Sequence, residues 1–331
     1  MPSNTYIPAT DRYSKSEYYQ CGKSGLKLPR ISLGLWHNFG DVDDSDEALK
    51  MLQFAFDHGI THFDLANNYG TPAGSAEINF GKMLKENFGS YRDEMIISTK
   101  AGHEMWPGPY GDWGSRKYLI ASLHQSLKRM QLDYVDIFYS HRYDPNTPLE
   151  ETMGALSDMV KQGKALYVGI SKYPEDKARE AFKILRENGT PCLIYQDRYS
   201  IFTREVEQQI LPMTNELGIG FIGFSPLSQG MLSDKYLHGI PENSRAAQSF
   251  GFLQKSRLTP EVISKISKLN DIALQRGQNL AQMALAWCYH KPQVTSVIVG
   301  TSSVKQLQEN IFALKNLHFS DDELWRIGEL G

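Results

Sequence analysis

The chain has 331 residues, with 35 Lys+Arg against 38 Asp+Glu, a net charge of −3. Hydrophobic residues make up 41%, including 17 Tyr and 15 Phe, so a large core is expected and a disordered, collagenous or coiled-coil chain is excluded. No basic stripe of the kind a nucleic-acid binder carries is present, and the length allows either about two average domains or one large barrel.

The N-terminal segment MPSNTYIPATDRYSKSEYY is polar and lacks the apolar stretch of a secretory signal. No run approaches the roughly 18 apolar residues of a membrane span, so a cytoplasmic location is expected. Cys21, Cys192 and Cys288 are odd in number and far apart, without a CxxC pair, which argues against a disulfide framework and a zinc site. No metal is expected. Tyr18–Gln20 and Lys27–Pro29 flank the turn residues Lys23, Ser24 and Gly25, predicting a hairpin placed to plug the lower mouth of a barrel.

From there, short apolar runs alternate with amphipathic stretches. Ile31–Leu35 precedes a helical pattern over Asp46–His58, Thr61–Ala66 one over Ala76–Glu86, and Met95–Thr99 one over Arg116–Met130. Tyr134–Tyr139 precedes Leu149–Gln162, with Pro148 near the helix start, and Ala165–Ile170 precedes Glu175–Asn188. Cys192–Tyr195 leads into a helix ending near Gly218, then Ile219–Phe224 follows. After an irregular stretch from Gln229 to Leu258 come helices over Pro260–Arg276 and Leu280–His290. Ser296–Val299 and Ser303–Leu314 form the last pair. These are eight strands, each trailed by a helix, and their apolar runs hardly alternate, as in parallel strands buried on both faces. Eight such units predict a single-domain (β/α)8 TIM barrel over residues 1–331, with an N-terminal β-hairpin and a long loop after strand 7 whose length suits a lid or binding loop rather than a linker. A doubly wound open sheet fits less well, because no glycine-rich phosphate turn follows Leu35.

Active sites of such barrels sit at the C-terminal ends of the strands. The residues there are Trp36, Asp64, Lys100, His141, Ser171, Gln196, Ser225 and Gly300, spaced 28, 36, 41, 30, 25, 29 and 75 residues apart. Asp64, Lys100 and His141 should therefore converge, with Tyr69 on the loop leaving the Asp64 strand. A tyrosine with an ordinary pKa near 10 is a poor proton donor at neutral pH, and a neighbouring ammonium lowers that value. An aspartate keeps the ammonium charged and in place, and a histidine orients a substrate oxygen. The set suits protonation of the alkoxide formed when a carbonyl is reduced. A Schiff-base aldolase with Lys100 as nucleophile is the competing chemistry. His62, two residues before Asp64, reads as a packed histidine and is left out.

These residues resemble the aldo-keto reductase superfamily. DLANNYG with Asp64 and Tyr69, ISTK ending in Lys100, and FYSH ending in His141 match its catalytic tetrad. The likeness extends from GKSGLKLPRISLGLW through GKALYVGIS and GFSPLSQGMLSDKY to VGTSSVKQLQEN. LGLWHNFG, STKAGHEMWPGPYG, SHRYDPNTPLEET and IPENSR are most similar to the bacterial L-glyceraldehyde 3-phosphate reductases, which are related to voltage-gated potassium channel β-subunits.

The resemblance implies Tyr69 as general acid, Lys100 as the group that lowers its pKa, Asp64 as the partner of Lys100 and His141 as the group orienting the carbonyl. It implies NADPH as hydride donor. Ser171 and Gln196 would meet the nicotinamide carboxamide and Phe224 its ring, with Trp36 a further cofactor contact. Ser225, Leu227, Gln229, Gly230 and Lys235 would lie along the pyrophosphate, and Arg245 would reach over from the lid. A helix start following Gly300 suits the adenosine 2′-phosphate, with Ser302 as a partner. Gln306 stands where many members have arginine, and Glu309 and Asn310 fall where the family binds adenine. Lys172 stands where the family often has asparagine, so the amide role does not transfer to it. Trp36, Tyr69, Trp106, Trp113, His141 and Arg142 are the candidate substrate residues, with Arg142 and Lys172 as the candidate cations for a phosphorylated triose. Small aldehydes, including methylglyoxal and L-glyceraldehyde 3-phosphate, are the expected substrates, with no nucleic-acid or membrane partner and a homo-oligomer of four or more subunits. The alternative is a cofactor-binding, redox-sensing regulatory subunit; those relatives often lack the histidine present here as His141.

Overall fold

The computed structural model describes residues 6–237, 239–241 and 253–331. Strands β1 (Tyr18–Gln20) and β2 (Lys27–Pro29) pair antiparallel with Tyr18 opposite Pro29 and Gln20 opposite Lys27, forming the expected hairpin. The hairpin closes the barrel floor. Lys23 N donates to Gly218 O at 2.8 Å, and Cys21 and Leu28 pack among the barrel residues Ile137, Tyr139, Ile194, Ile222 and Ile298. Gly22 has φ +57°, and a Cβ there would lie 2.2 Å from Gly218 O, so only glycine allows this approach.

Eight parallel strands form the closed barrel: β3 (Ile31–Gly34), β4 (His62–Asp64), β5 (Ile96–Ala101), β6 (Val135–Ser140), β7 (Ala165–Ser171), β8 (Ile194–Arg198), β9 (Gly220–Phe224) and β10 (Val294–Val299). Each pairs with the next, and β10 closes on β3 with Val297 opposite Ile31. Every residue of β3, β6 and β10 is buried, which explains the unbroken apolar runs: one face fills the barrel and the other meets the helices.

The outer layer consists of α1 (Ser45–Asp57), α2 (Ser75–Met83), α3 (Arg116–Met130), α4 (Leu149–Lys161), α5 (Glu175–Glu187), α6 (Ile210–Leu217), α7 (Pro260–Gln275), α8 (Leu280–Trp287), α9 (Val304–Phe312) and α10 (Asp321–Gly328). Side chains of Asp44, Ser115, Asn279, Ser303 and Ser320 cap α1, α3, α8, α9 and α10, satisfying N–H groups that lack a partner inside the helix.

The departures from the sequence reading have local causes. The helix expected to reach Glu86 leaves α geometry after Met83 and widens into a π turn over Leu84–Phe88. This brings Phe88 into the core, edge-on to Phe56 at 5.9 Å and Tyr6 at 5.0 Å. β8 continues past Tyr195 because Asp197 and Arg198 pair with Gly223 and Phe224. The last strand begins at Val294, ahead of Ser296, with a register shift between the two. α10 starts in a capping box formed by Ser320 and Glu323 and buries Ile327. The described part of the segment after β9 holds short turns at Ser228–Gly230, Asp234–Tyr236 and Lys255–Arg257; the expected lid residue Arg245 lies outside the described residues.

Candidate active site

The strand ends converge as expected. Lys100, wholly buried, donates from Nζ to Asp64 Oδ2 and to the Leu65 carbonyl, both at 2.6 Å. Asp64 Oδ1 accepts from Ser98 Oγ at 2.7 Å and from Gln196 Nε2 at 3.4 Å. The Tyr69 ring centre lies 4.9 Å from Lys100 Nζ and 6.0 Å from the His141 ring, which meets it nearly edge-on. Gly70 turns the chain after Tyr69 with φ +86°; a Cβ there would come within 2.4 Å of Ser75 Oγ. The catalytic candidates from β4, β5, β6 and the loop after β4 thus meet at one mouth of the barrel.

Asp64 is held from below by residues the sequence reading passed over. His62 Nε2 lies 3.0 Å from Ser98 Oγ and its Nδ1 2.8 Å from Ser32 Oγ, which is 2.7 Å from Ser296 Oγ. Ser98 gives its hydroxyl hydrogen to the Asp64 carboxylate, so His62 Nε2 must be the N–H that donates to Ser98. Burial holds the imidazole pKa down to about 4. The ring is therefore neutral near pH 7, and Nδ1 accepts from Ser32. The signal for this chain was period two. His62 and Asp64 point to the same side of β4, as do Ser98 and Lys100 on β5, so a polar residue two positions before a strand-end polar residue also faces the interior.

The electrostatics correct one expectation. Lys100 does not bring the Tyr69 pKa below its ordinary value; burial and then the Asp64 charge push the phenol well above it, so Tyr69 keeps its proton. Burial, followed by the charges of Lys100, Lys172, His103 and Arg142, holds His141 well below the usual histidine range, so its ring is neutral. Burial also pulls Lys100 down, with Asp64 and Glu77 working against it.

The remaining candidates separate by their contacts. Trp36 lies 6.1 Å from Tyr69, ring to ring, on the loop after β3. Trp106 packs on Tyr118 at 5.2 Å. Trp113 is exposed, and Arg142 lies over its ring at 3.6 Å while pairing with Asp112 at 2.6 Å. Past β9, Ser225, Ser228, Gln229 and Gly230 all have positive φ. Ser228 N closes one of these turns by donating to the Ser225 carbonyl at 2.9 Å. Phe224 is half-buried at the end of β9, Leu227 anchors the loop by accepting from Gly230 N at 2.8 Å, and Lys235 is exposed.

At the start of α9 the chain's own acceptors are in place. Ser303 caps the helix, its side chain accepting from Gln306 N. Gln306 Oε1 accepts from Ser302 N at 2.8 Å and from Ser302 Oγ at 3.1 Å, and Val304 N donates to Glu47 Oε1 at 3.1 Å. Gly300 is exposed, Glu309 accepts from Gln282 Nε2 at 2.9 Å, and Asn310 is buried.

A family profile described as Aldo/keto reductase family matches residues 30–331. The chain belongs to the aldo/keto reductase family. It is 54% identical over 328 residues to an L-glyceraldehyde 3-phosphate reductase of Escherichia coli, an alignment covering 98% of this chain and 95% of the relative. It is 39% identical over 304 residues to a probable voltage-gated potassium channel subunit beta of Arabidopsis thaliana, covering 90% and 91% of the two chains. As an aldo/keto reductase it is an oxidoreductase of small molecules that uses a nicotinamide cofactor. The residues present fit that group. Ser171 Oγ, Gln229 Oε1 and Asn310 Nδ2 are buried polar atoms without a hydrogen-bond partner, and they stand where the nicotinamide, pyrophosphate and adenine are expected. Among the described residues no helix is long and apolar enough to cross a membrane, and no cluster suited to a metal occurs.

Proposed function

We propose that this aldo/keto reductase reduces small aldehydes, L-glyceraldehyde 3-phosphate and methylglyoxal among them, with NADPH as its preferred cofactor. The observation that carries the reading is the buried 2.6 Å Lys100–Asp64 pair, set beneath a protonated Tyr69 and a neutral His141. When bound, NADPH supplies a hydride from its nicotinamide. Ser171 and Gln196 would hold the carboxamide, Phe224 and Trp36 would flank the ring, and the turns from Ser225 to Gly230 with Lys235 would follow the phosphates.

The chain's own residues handle the proton. His141, uncharged, hydrogen-bonds the carbonyl oxygen and fixes its direction. As negative charge grows on that oxygen, the Tyr69 hydroxyl donates its proton to it. The raised pKa keeps that proton in place until then, and the Lys100 ammonium stabilises the phenolate that remains. Asp64 keeps the ammonium charged and fixed. A Schiff-base role for Lys100 is disfavoured, because two of its three hydrogens are held by Asp64 and Leu65 inside the barrel wall. The presence of His141 with the full tetrad favours catalysis over a purely regulatory subunit. We read the enzyme as a cytoplasmic homo-oligomer.

The test is NADPH oxidation in the presence of methylglyoxal and of L-glyceraldehyde 3-phosphate. Tyr69→Phe should lower kcat by about 100- to 10,000-fold, the range general acids contribute, with NADPH still binding by fluorescence titration. Unchanged turnover in that variant rejects the mechanism.

A further inference from the structure

The cations around the site differ in what holds them. Lys100 is paired with Asp64 and Arg142 with Asp112. Arg142 also donates from Nε to Gly102 O at 2.5 Å and lies flat on Trp113, so its planar fork is already engaged. Lys172 differs. Among the described residues no carboxylate lies within ion-pair distance of it, and its hydrogen-bond partner is the imidazole of His103, with Nε2 3.5 Å from Nζ. The side chain is half-buried at the end of β7, and its backbone is in the left-handed region at φ +55°, a conformation kept where surroundings over-determine it.

His103 links Lys172 to the reaction centre. Its ring meets His141 edge-on at 4.6 Å, and its carbonyl accepts from the Tyr118 hydroxyl, which in turn accepts from Asn67 Nδ2 at 3.0 Å. The ammonium therefore stands one imidazole beyond His141. Burial, Arg198, Lys100 and Arg142 together pull the Lys172 pKa to about 8, with Asp197 opposing. Burial holds His103 near 4, so its Nε2 is an acceptor for that ammonium. An ammonium half-buried among like charges lacks the fixed counterion it needs. A dianion carried by the substrate would supply one.

We propose that Lys172, presented by His103, is the subsite for a phosphate at the far end of the aldehyde, and that Lys172 rather than Arg142 sets a preference for phosphorylated over unphosphorylated three-carbon aldehydes. This rests on the reading of the site as an aldehyde reductase.

The experiment compares kcat/KM for L-glyceraldehyde 3-phosphate and for unphosphorylated L-glyceraldehyde in the full chain and in Lys172→Met, Lys172→Arg and Arg142→Met. Calorimetry of glycerol 3-phosphate binding to the NADP+ complex gives a readout independent of turnover. Lys172→Met should lower the ratio of the two kcat/KM values by about 10- to 100-fold, the scale of one charge-assisted hydrogen bond. It should weaken glycerol 3-phosphate binding to match. Lys172→Arg should keep most of the ratio, and Arg142→Met should lower both substrates alike. A ratio unmoved in Lys172→Met overturns the subsite, as does a ratio lost in Arg142→Met instead. So does a loss of NADPH affinity in Lys172→Met equal to the loss in kcat/KM, which would give the lysine to the cofactor. Lys172-dependent binding of glycerol 3-phosphate by an enzyme that reduces neither aldehyde would keep the subsite and reject the reductase reading.

Discussion

At the bottom of the site, both oxygens of Asp64 and both nitrogens of His62 have partners within 3.4 Å, whereas along the rim Ser171 Oγ, Gln229 Oε1 and Asn310 Nδ2 are buried with none. A satisfied buried network is rigid, because each displacement costs a hydrogen bond in a low-dielectric setting. An unsatisfied buried polar atom costs about 1–3 kcal/mol, which a ligand atom can recover. On the proposed function the two regions divide the work: the floor would fix the proton-transfer geometry, and the rim would offer polar groups to the cofactor. Substitutions in the floor should damage stability and rate together, while those in the rim should change affinity.

The largest expected effect comes from breaking the floor at its ion pair. Lys100→Met removes the counterion and leaves the Asp64 carboxylate buried with only Ser98 and Gln196 to answer it. Breaking a buried pair from one side costs about 3–5 kcal/mol. Urea unfolding should show that loss alongside the loss of turnover. A variant as stable as the parent would mean that the floor is not the rigid half of the site.

The next effect sharpens the comparison through pH. His62 titrates near 4 in the folded chain and near 6.5 when unfolded, so between those values the unfolded state binds the extra proton. Its contribution is therefore fully present above about pH 6.5, is lost progressively as pH falls towards 4, and is level below that. The pKa gap corresponds to roughly 3 kcal/mol. Urea melts at several pH values on the parent and on His62→Gln isolate this slope from that of the carboxylates. Parallel curves for the two proteins would mean that the imidazole is not held neutral by its burial.

These regions were also unequally legible in the sequence. Asp64, Lys100, His141, Ser171 and Gln196 could be read because strand-end positions are fixed by where an apolar run stops, and the barrel then brings them together. The hairpin was legible from its turn residues. His62 reads in the sequence as a packed histidine, since nothing local reveals that Ser32 and Ser98 meet its ring from neighbouring strands, with Ser296 behind Ser32. Arg142 looked available for a phosphate because its partner Asp112 lies 30 positions away on a separate loop. The Tyr69 pKa went the other way because proximity to an ammonium is visible in a motif, whereas the extent of burial is not.

The smallest effect belongs to the rim, and it concerns the choice between NADPH and NADH. The start of α9 is where a 2′-phosphate is expected, yet the Glu47 carboxylate already receives the Val304 N–H, and the Gln306 carbonyl oxygen faces Ser302. The contact between Glu47 and Val304 spans 257 positions and exists only because β10 closes on β3, so no local pattern announces it. A carboxylate at a helix N-terminus stabilises that helix by about 0.3–1 kcal/mol, and the same charge repels a phosphate approaching the same N–H groups. Glu47→Gln keeps an acceptor for Val304 and removes the charge. It should tighten NADPH by about two- to fivefold, leave NADH within error and cost the fold little. Paired fluorescence titrations of the two cofactors measure this directly. An equal change for both would mean that Glu47 acts on the shape of the groove rather than on the phosphate, and would move the basis of cofactor choice away from the α9 helix start.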